Sequence, residues 1–258
     1  MKLFHSTIVV LICFLSAAIA TAQDRAAPAP SAANASQAQA AIDRAAAANK
    51  YVFLFFWKEK GPQTDKALGI FQPAAAKMAD KADVVSIQIT DPAEKKVVAD
   101  YDVSRAPMPM VLAIAPSGAI TKALTKTFDE KELRTAFVST ATQRCLKALQ
   151  ARKMVFVCIA NQANPQDQMT TPKGVEDFKA DKEYGALTEV VLVNVRDPNE
   201  ATFLKEVNVS AKSAPVILFM APPRVLVGTF PTETTKDTFV TKLAEAKEAC
   251  GPGCSCHH

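Results

Sequence analysis

The feature that most constrains this chain is that it repeats itself. Residues 50–63 read KYVFLFFWKEKGPQ and residues 153–166 read KMVFVCIANQANPQ. VVSIQITDPAE at 84–94 has a partner in VVLVNVRDPNE at 190–200, and VSRAPMPMVLAIAP from Val103 matches VSAKSAPVILFMAP from Val209. Matched blocks in the same order mean two copies of one folding unit, each about a hundred residues long, an ordinary domain size.

The periodicity of each copy predicts alternating elements. An Ala-rich helical stretch opens each one, Gln37–Ala48 and Leu133–Ala151. A short apolar run follows, Tyr51–Trp57 and Met154–Ile159, which reads as a buried strand bounded by polar turns. After a helical segment comes a second strand, Val84–Ile89 and Val190–Val195. Asp-Pro then breaks the strand and opens another helix, Ala93–Tyr101 and Asn199–Val207, with Asp91 and Asp197 placed as caps and Pro in the first turn. A third strand starts at a proline, Pro109–Ala115 and Pro215–Ala221, and a last strand and a helix close each copy. Strands alternating with helices, then a strand pair, predict an α/β sheet covered on both faces.

On these residues the chain resembles the thioredoxin superfamily. FFWKEKGPQ at 55–63 is similar to the family's active-site segment, where the first strand runs into Trp, an acidic residue and Cys-Gly-Pro-Cys. Pro109 and Pro215 fall where the family carries its cis-proline, and Pro107 is the weaker candidate because the second copy has Ser213 there. The resemblance covers Gln37 to Glu248. It implies two tandem thioredoxin-like domains, each a mixed central sheet flanked by helices, at residues 37–140 and 141–249.

The departures from the family matter more than the agreement. Gly61 and Pro62 are kept, but the flanking cysteines are replaced by Lys60 and Gln63, with one residue missing. The second copy reads Ala163, Asn164, Pro165 and Gln166 at the same place. The family's buried acid, which moves protons during disulfide exchange, falls at Phe55 and Cys158. Exchange needs an attacking thiolate, and neither Lys nor Gln supplies one. The resemblance therefore implies two domains redox-dead at the usual position, a type that often serves as a peptide-binding or spacing element.

The ends of the chain imply export. Lys2, the apolar run Ile8–Leu15 and the small-residue site Ala20-Thr21-Ala22 predict a secretory signal over residues 1–22, cleaved before Gln23. The Ala/Pro/Ser/Asn stretch that follows predicts a flexible linker over 23–36. The expected location is periplasmic or extracellular, with no membrane contact beyond the cleaved signal. Thirty basic and twenty-six acidic residues are interspersed, without a basic stripe or interleaved aromatics, which argues against nucleic acid. Another exported protein is the expected partner. Neither a phosphate loop for a nucleotide, a Ser-His-Asp set nor a pair of catalytic carboxylates can be assembled. His5 lies in the signal, so no histidine remains for catalysis inside either repeat.

Cysteine usage is uneven. Cys145 and Cys158 stand alone and read as core residues. The tail, residues 250–258, reads CGPGCSCHH. Cys250, Cys254 and Cys256 offer thiolate sulfurs, and His257 and His258 add imidazoles, a donor set that suits Cu(I) or Zn(II). The spacing matches no zinc finger, and the absence of C-x-x-C-H excludes c-type haem. A second reading is redox chemistry, since Cys250-Gly-Pro-Gly-Cys254 resembles the thioredoxin motif with one Gly inserted. A third leaves the tail without a role. Three functions follow: a binding scaffold with a soft-metal tail, a thiol-disulfide oxidoreductase working through the tail dithiol, and a pure protein-interaction module.

Overall fold

The computed structural model describes residues 36–162 and 169–249. The expected signal over residues 1–22 and most of the expected linker, Ala163–Gln166 and the whole Cys/His tail lie outside the described residues. Among those described, no helix is long and apolar enough to cross a membrane.

Two four-stranded sheets account for the repeat. In the first, the elements are α1 (Gln37–Ala47), β1 (Tyr51–Trp57), α2 (Pro62–Ala76), β2 (Ala82–Gln88), α3 (Lys95–Asp100), β3 (Met110–Ile114), β4 (Ile120–Thr125) and α4 (Glu130–Arg134). In the second they are α5 (Thr140–Gln150), β5 (Met154–Ala160), α6 (Lys173–Ala180), β6 (Thr188–Asn194), α7 (Ala201–Glu206), β7 (Val216–Ala221), β8 (Val225–Phe230) and α8 (Lys236–Ala249). The strand orders are β2-β1-β3-β4 and β6-β5-β7-β8. In both sheets the first pair is parallel and the other two pairs are antiparallel. Each half is thus a thioredoxin-like α/β unit with a mixed sheet flanked by helices. The registers agree residue for residue: Phe55 faces Val111, and its counterpart Cys158 faces Ile217.

The central strands are apolar throughout because both faces are covered. Along β1, Phe53 and Phe55 point to a core closed by α2 and α4, while Val52, Leu54 and Phe56 point to one closed by α1 and α3. Along β5, Val155, Val157 and Ile159 meet α5 and α7, while Met154, Phe156 and Cys158 meet α6 and α8. Small residues on α1 (Ala38, Ala41, Ala45) let it lie close on its sheet.

A buried glutamate recurs in both halves. Asp91 and Asp197 cap short 3-10 turns, accepting from Ala93 N–H and Asn199 N–H at 2.9 Å. Each turn ends in a buried glutamate, Glu94 or Glu200. Glu94 accepts from Ser36 Oγ at 2.6 Å and from the Gln37 and Ala38 amides at 2.7 and 3.3 Å, which satisfies the first turn of α1. Glu200 accepts from Ala141 N–H at 3.1 Å in the first turn of α5, and its other oxygen has no hydrogen-bond partner among the described residues.

The continuous helix expected over Leu133–Ala151 is two helices. α4 ends at Arg134, and α5 begins after Ser139, whose Oγ accepts from Thr142 N–H at 3.1 Å. The break has a cause in the residues between. Phe137 sits edge-on to Tyr51 at 4.8 Å and to Phe53 at 5.8 Å, so it must leave the helix to reach the first core. Tyr51 Oη donates to Val138 C=O at 3.1 Å and accepts from Val138 N–H at 3.0 Å and Gln143 Nε2 at 3.1 Å. The helix expected over Ala93–Tyr101 likewise resolves into a 3-10 turn and the shorter α3.

Tyr51→Phe keeps the ring and deletes the hydroxyl, leaving both main-chain groups of Val138 without this partner. A loss of about 1–3 kcal/mol in unfolding free energy is expected from urea titration.

Candidate functional site

The segment from Lys58 to Thr64 forms a shallow cleft at the end of β1. Trp57 ends the strand, its C=O accepting from Ile89 N–H at 2.9 Å, and its ring packs half-buried on the first core. Residues Lys58 to Lys60 make the loop. Gln88 Nε2 donates to Lys58 C=O at 3.2 Å, and Thr64 Oγ1 donates to Glu59 C=O at 2.9 Å, which ties the loop to β2 and to α2. Gly61 is the N-cap of α2 and Pro62 its first residue, where a missing N–H costs nothing. Lys60 and Gln63 are exposed.

Across the cleft lies the Met108–Pro109 peptide, which is cis. Pro109 is buried, and its C=O accepts from Lys126 N–H at 2.8 Å. The cleft measures about 310 Å³ and is lined by Lys58 to Thr64 with Met108 and Pro109. In the second half the Ala214–Pro215 peptide is also cis. Beside it, Asn161 Nδ2 donates to Ala211 C=O at 3.1 Å, and Arg196 Nε donates to Asn161 Oδ1 at 2.8 Å. The facing residues Ala163–Gln166 are outside the described residues. A third cis bond, Pro222–Pro223, lies in the β7–β8 turn and was not anticipated.

No thiol reaches this cleft among the described residues. Phe55, which the resemblance sets at the position of a buried acid, is fully buried with its ring 5.2 Å from Phe71. Cys158 and Cys145 are free and buried. They face opposite sides of the second sheet, Cys145 on the α5 side and Cys158 on the α6 and α8 side, so they cannot pair. Burial pushes both thiols from an ordinary 9.0 up to about 12. For Cys145, Arg144 offsets part of that rise. At neutral pH neither is a thiolate, the form that attacks. The described residues hold no group of three or more Cys, His, Asp or Glu arranged for a metal. Cys250, Cys254, Cys256, His257 and His258 lie outside them.

Solved structures similar to this chain include the germline-specific thioredoxin Deadhead from Drosophila melanogaster, at 17% identity over 38% of this chain and 89% of that one, with a TM-score of 0.31. StoA from Bacillus subtilis is 15% identical over 34% of this chain and 82% of its own, with a TM-score of 0.28. A disulphide isomerase from Xylella fastidiosa Temecula1 is 16% identical over 38% and 82%, with a TM-score of 0.30. No family model matches the chain, and no curated protein matches it.

The raised thiols give a prediction with a defined sign. The unfolded chain releases these protons near 9.0 and the folded chain only near 12, so their contribution to stability is whole below pH 9.0 and is lost as pH rises through that window. Iodoacetamide at pH 8 should leave Cys145 and Cys158 unmodified in the folded protein and alkylate both in urea, read by peptide mass spectrometry. Labelling of either one in the folded state contradicts the burial argument.

Proposed function

We propose that this protein is an exported binding scaffold of two thioredoxin-like domains, 37–140 and 141–249, neither of which exchanges disulfides. The observation that carries the reading is the first cleft. It keeps the proline wall and the Gly61-Pro62 helix start, and it holds Lys60 and Gln63 where thiols would be. A cleft of this shape without a nucleophile holds an extended segment of a partner and releases it unchanged. Another exported protein is the partner this favours.

The tail adds a second element to the proposal. Cys250, Cys254 and Cys256 with His257 or His258 form a soft donor set for Cu(I) or Zn(II). Ligation requires thiolates, so metal binding weakens as pH falls. A competing reading, in which Cys250 and Cys254 form a working dithiol, is favoured by the CGPGC spacing alone.

Two measurements separate these readings. Insulin reduction should be absent from protein truncated after Ala249, and activity there that Cys145→Ser or Cys158→Ser abolishes would overturn the non-catalytic reading. The full chain, reduced, should carry about one soft metal ion, in line with a single three- or four-ligand site. Cys254→Ser should lose most of that metal while the melting temperature of the metal-free protein stays put. Equal metal in full and truncated protein excludes the tail as the site. Turnover of a Cys250–Cys254 disulfide with a partner thiol replaces the metal reading by the redox one.

A further inference from the structure

Each sheet has two edge strands, and an edge strand presents a row of unpaired N–H and C=O groups that accepts another strand. Three of the four edges are guarded. On β4, the Gln150 carboxamide takes both main-chain groups of Ile120: Nε2 donates to its C=O at 2.6 Å and Oε1 accepts from its N–H at 3.0 Å. On β6, Arg144 Nη2 donates to Val190 C=O at 2.8 Å and Lys179 Nζ donates to Thr188 C=O. On β2, Asp83 places a charge in the strand, with Arg44 at 3.1 Å and Lys50 at 4.0 Å. No side chain among the described residues does this for β8.

The repeat sharpens the contrast. Ile120 faces Ile114 in the first sheet, and Leu226 faces Met220 in the second, so Leu226 is the counterpart of Ile120. Ile120 is half-buried, whereas Leu226 is 57% exposed, more than any other large apolar residue among those described. A helix docked there as α5 docks on β4 is poorly supplied by α1 of another copy. At the positions of Leu146 and Gln150, α1 carries Asp43 and Ala47.

We infer that β8 pairs with β8 of a second copy of this chain, antiparallel about a two-fold axis, so that two four-stranded sheets become one continuous sheet. The strand is self-complementary. Val225–Phe230 contains neither proline nor charge. Setting Leu226 opposite Thr229 of the second copy, Val225 opposite Phe230 and Val227 opposite Gly228 keeps every pair on one face. Leu226 and Thr229 face Met220 and Leu218, which belong to the α5-side core. Val225, Gly228 and Phe230 face Ala221, Phe219 and Ile217, which belong to the α6-side core, where Val227 also packs.

Charge at the ends of the strand agrees with this register. Arg224 precedes β8 and makes no ion pair among the described residues. In the proposed register it lies opposite Pro231 of the second copy and two residues from that copy's Glu233. Glu233 is exposed and, among the described residues, accepts only from the Thr232 hydroxyl at 2.9 Å. The axis therefore brings together two Arg224–Glu233 pairs, neither residue having another ion-pair partner among the described residues.

Sedimentation equilibrium on the full chain tests this, with reductant and chelator present so that neither disulfides nor metal link the tails. Wild type should have twice the chain mass. Leu226→Lys with Thr229→Lys, both at exposed positions, should halve that mass with an unchanged far-UV spectrum, and Thr229→Lys alone should weaken the dimer if the double variant misfolds. Arg224→Glu should weaken association and Arg224→Glu with Glu233→Arg should restore it. A wild-type monomer, or a dimer that survives the lysine substitutions with its fold intact, overturns the proposal. An unrestored charge swap overturns the register.

Discussion

The arrangement of this protein depends on α5, a helix that belongs to two cores. Its Ala141, Cys145, Ala148 and Leu149 fill one side of the second sheet. From its other side, Leu146 packs on the first core, Gln150 brackets the edge of β4, and Lys147 Nζ donates to Gly118 C=O at 3.2 Å. Val138 just before it and Gln143 in its first turn meet the hydroxyl of Tyr51. The polar groups at this junction are satisfied reciprocally, side chain to main chain. Pulling the halves apart would expose Leu146 and Phe137 to water and exchange these hydrogen bonds for bonds to solvent, so the lost apolar contact is the larger cost.

This junction explains which parts of the fold were legible in the sequence. The β1 run could be placed from Tyr51 to Trp57 because a strand buried on both faces has no polar interruption. The Asp91 and Asp197 caps were equally local. The helix over Leu133–Ala151 failed because its break is set from a distance: Phe137 leaves the helix to meet Tyr51 and Phe53, more than eighty residues earlier in the chain. Local propensity carries no trace of that contact. The burial of Glu94 and Glu200 has no local signal, because their partners are the first turns of α1 and α5, more than fifty residues earlier in the chain. The signal available was their recurrence at one position in both copies.

The candidate site divides in the same way. The lost cysteines, the prolines at 109 and 215 and the inert settings of Cys145 and Cys158 are matters of residue type and pattern, readable one position at a time. The closure of the loop, with Thr64 and Gln88 holding its carbonyls, depends on β2 and α2 and required the structure. So did the unequal edges. Ile120 and Leu226 occupy equivalent places in a repeated sequence, yet one is half-buried and the other exposed: Gln150 of α5 brackets Ile120, and no side chain among the described residues does so for Leu226. The described residues carry a cleft at the end of β1 and an edge at β8 that no side chain among them guards, and their two thiols are buried.

If α5 joins the two halves into one cooperative unit, their unfolding cannot be separated. The protein carries a single tryptophan, Trp57, packed on the first core, so its fluorescence reports that half alone, while far-UV circular dichroism reports both. Urea titration followed by the two signals should give superimposable transitions with one midpoint. Two midpoints, with Trp57 responding to one of them, would show that the halves stand independently and that the contacts through α5 do not bind them together.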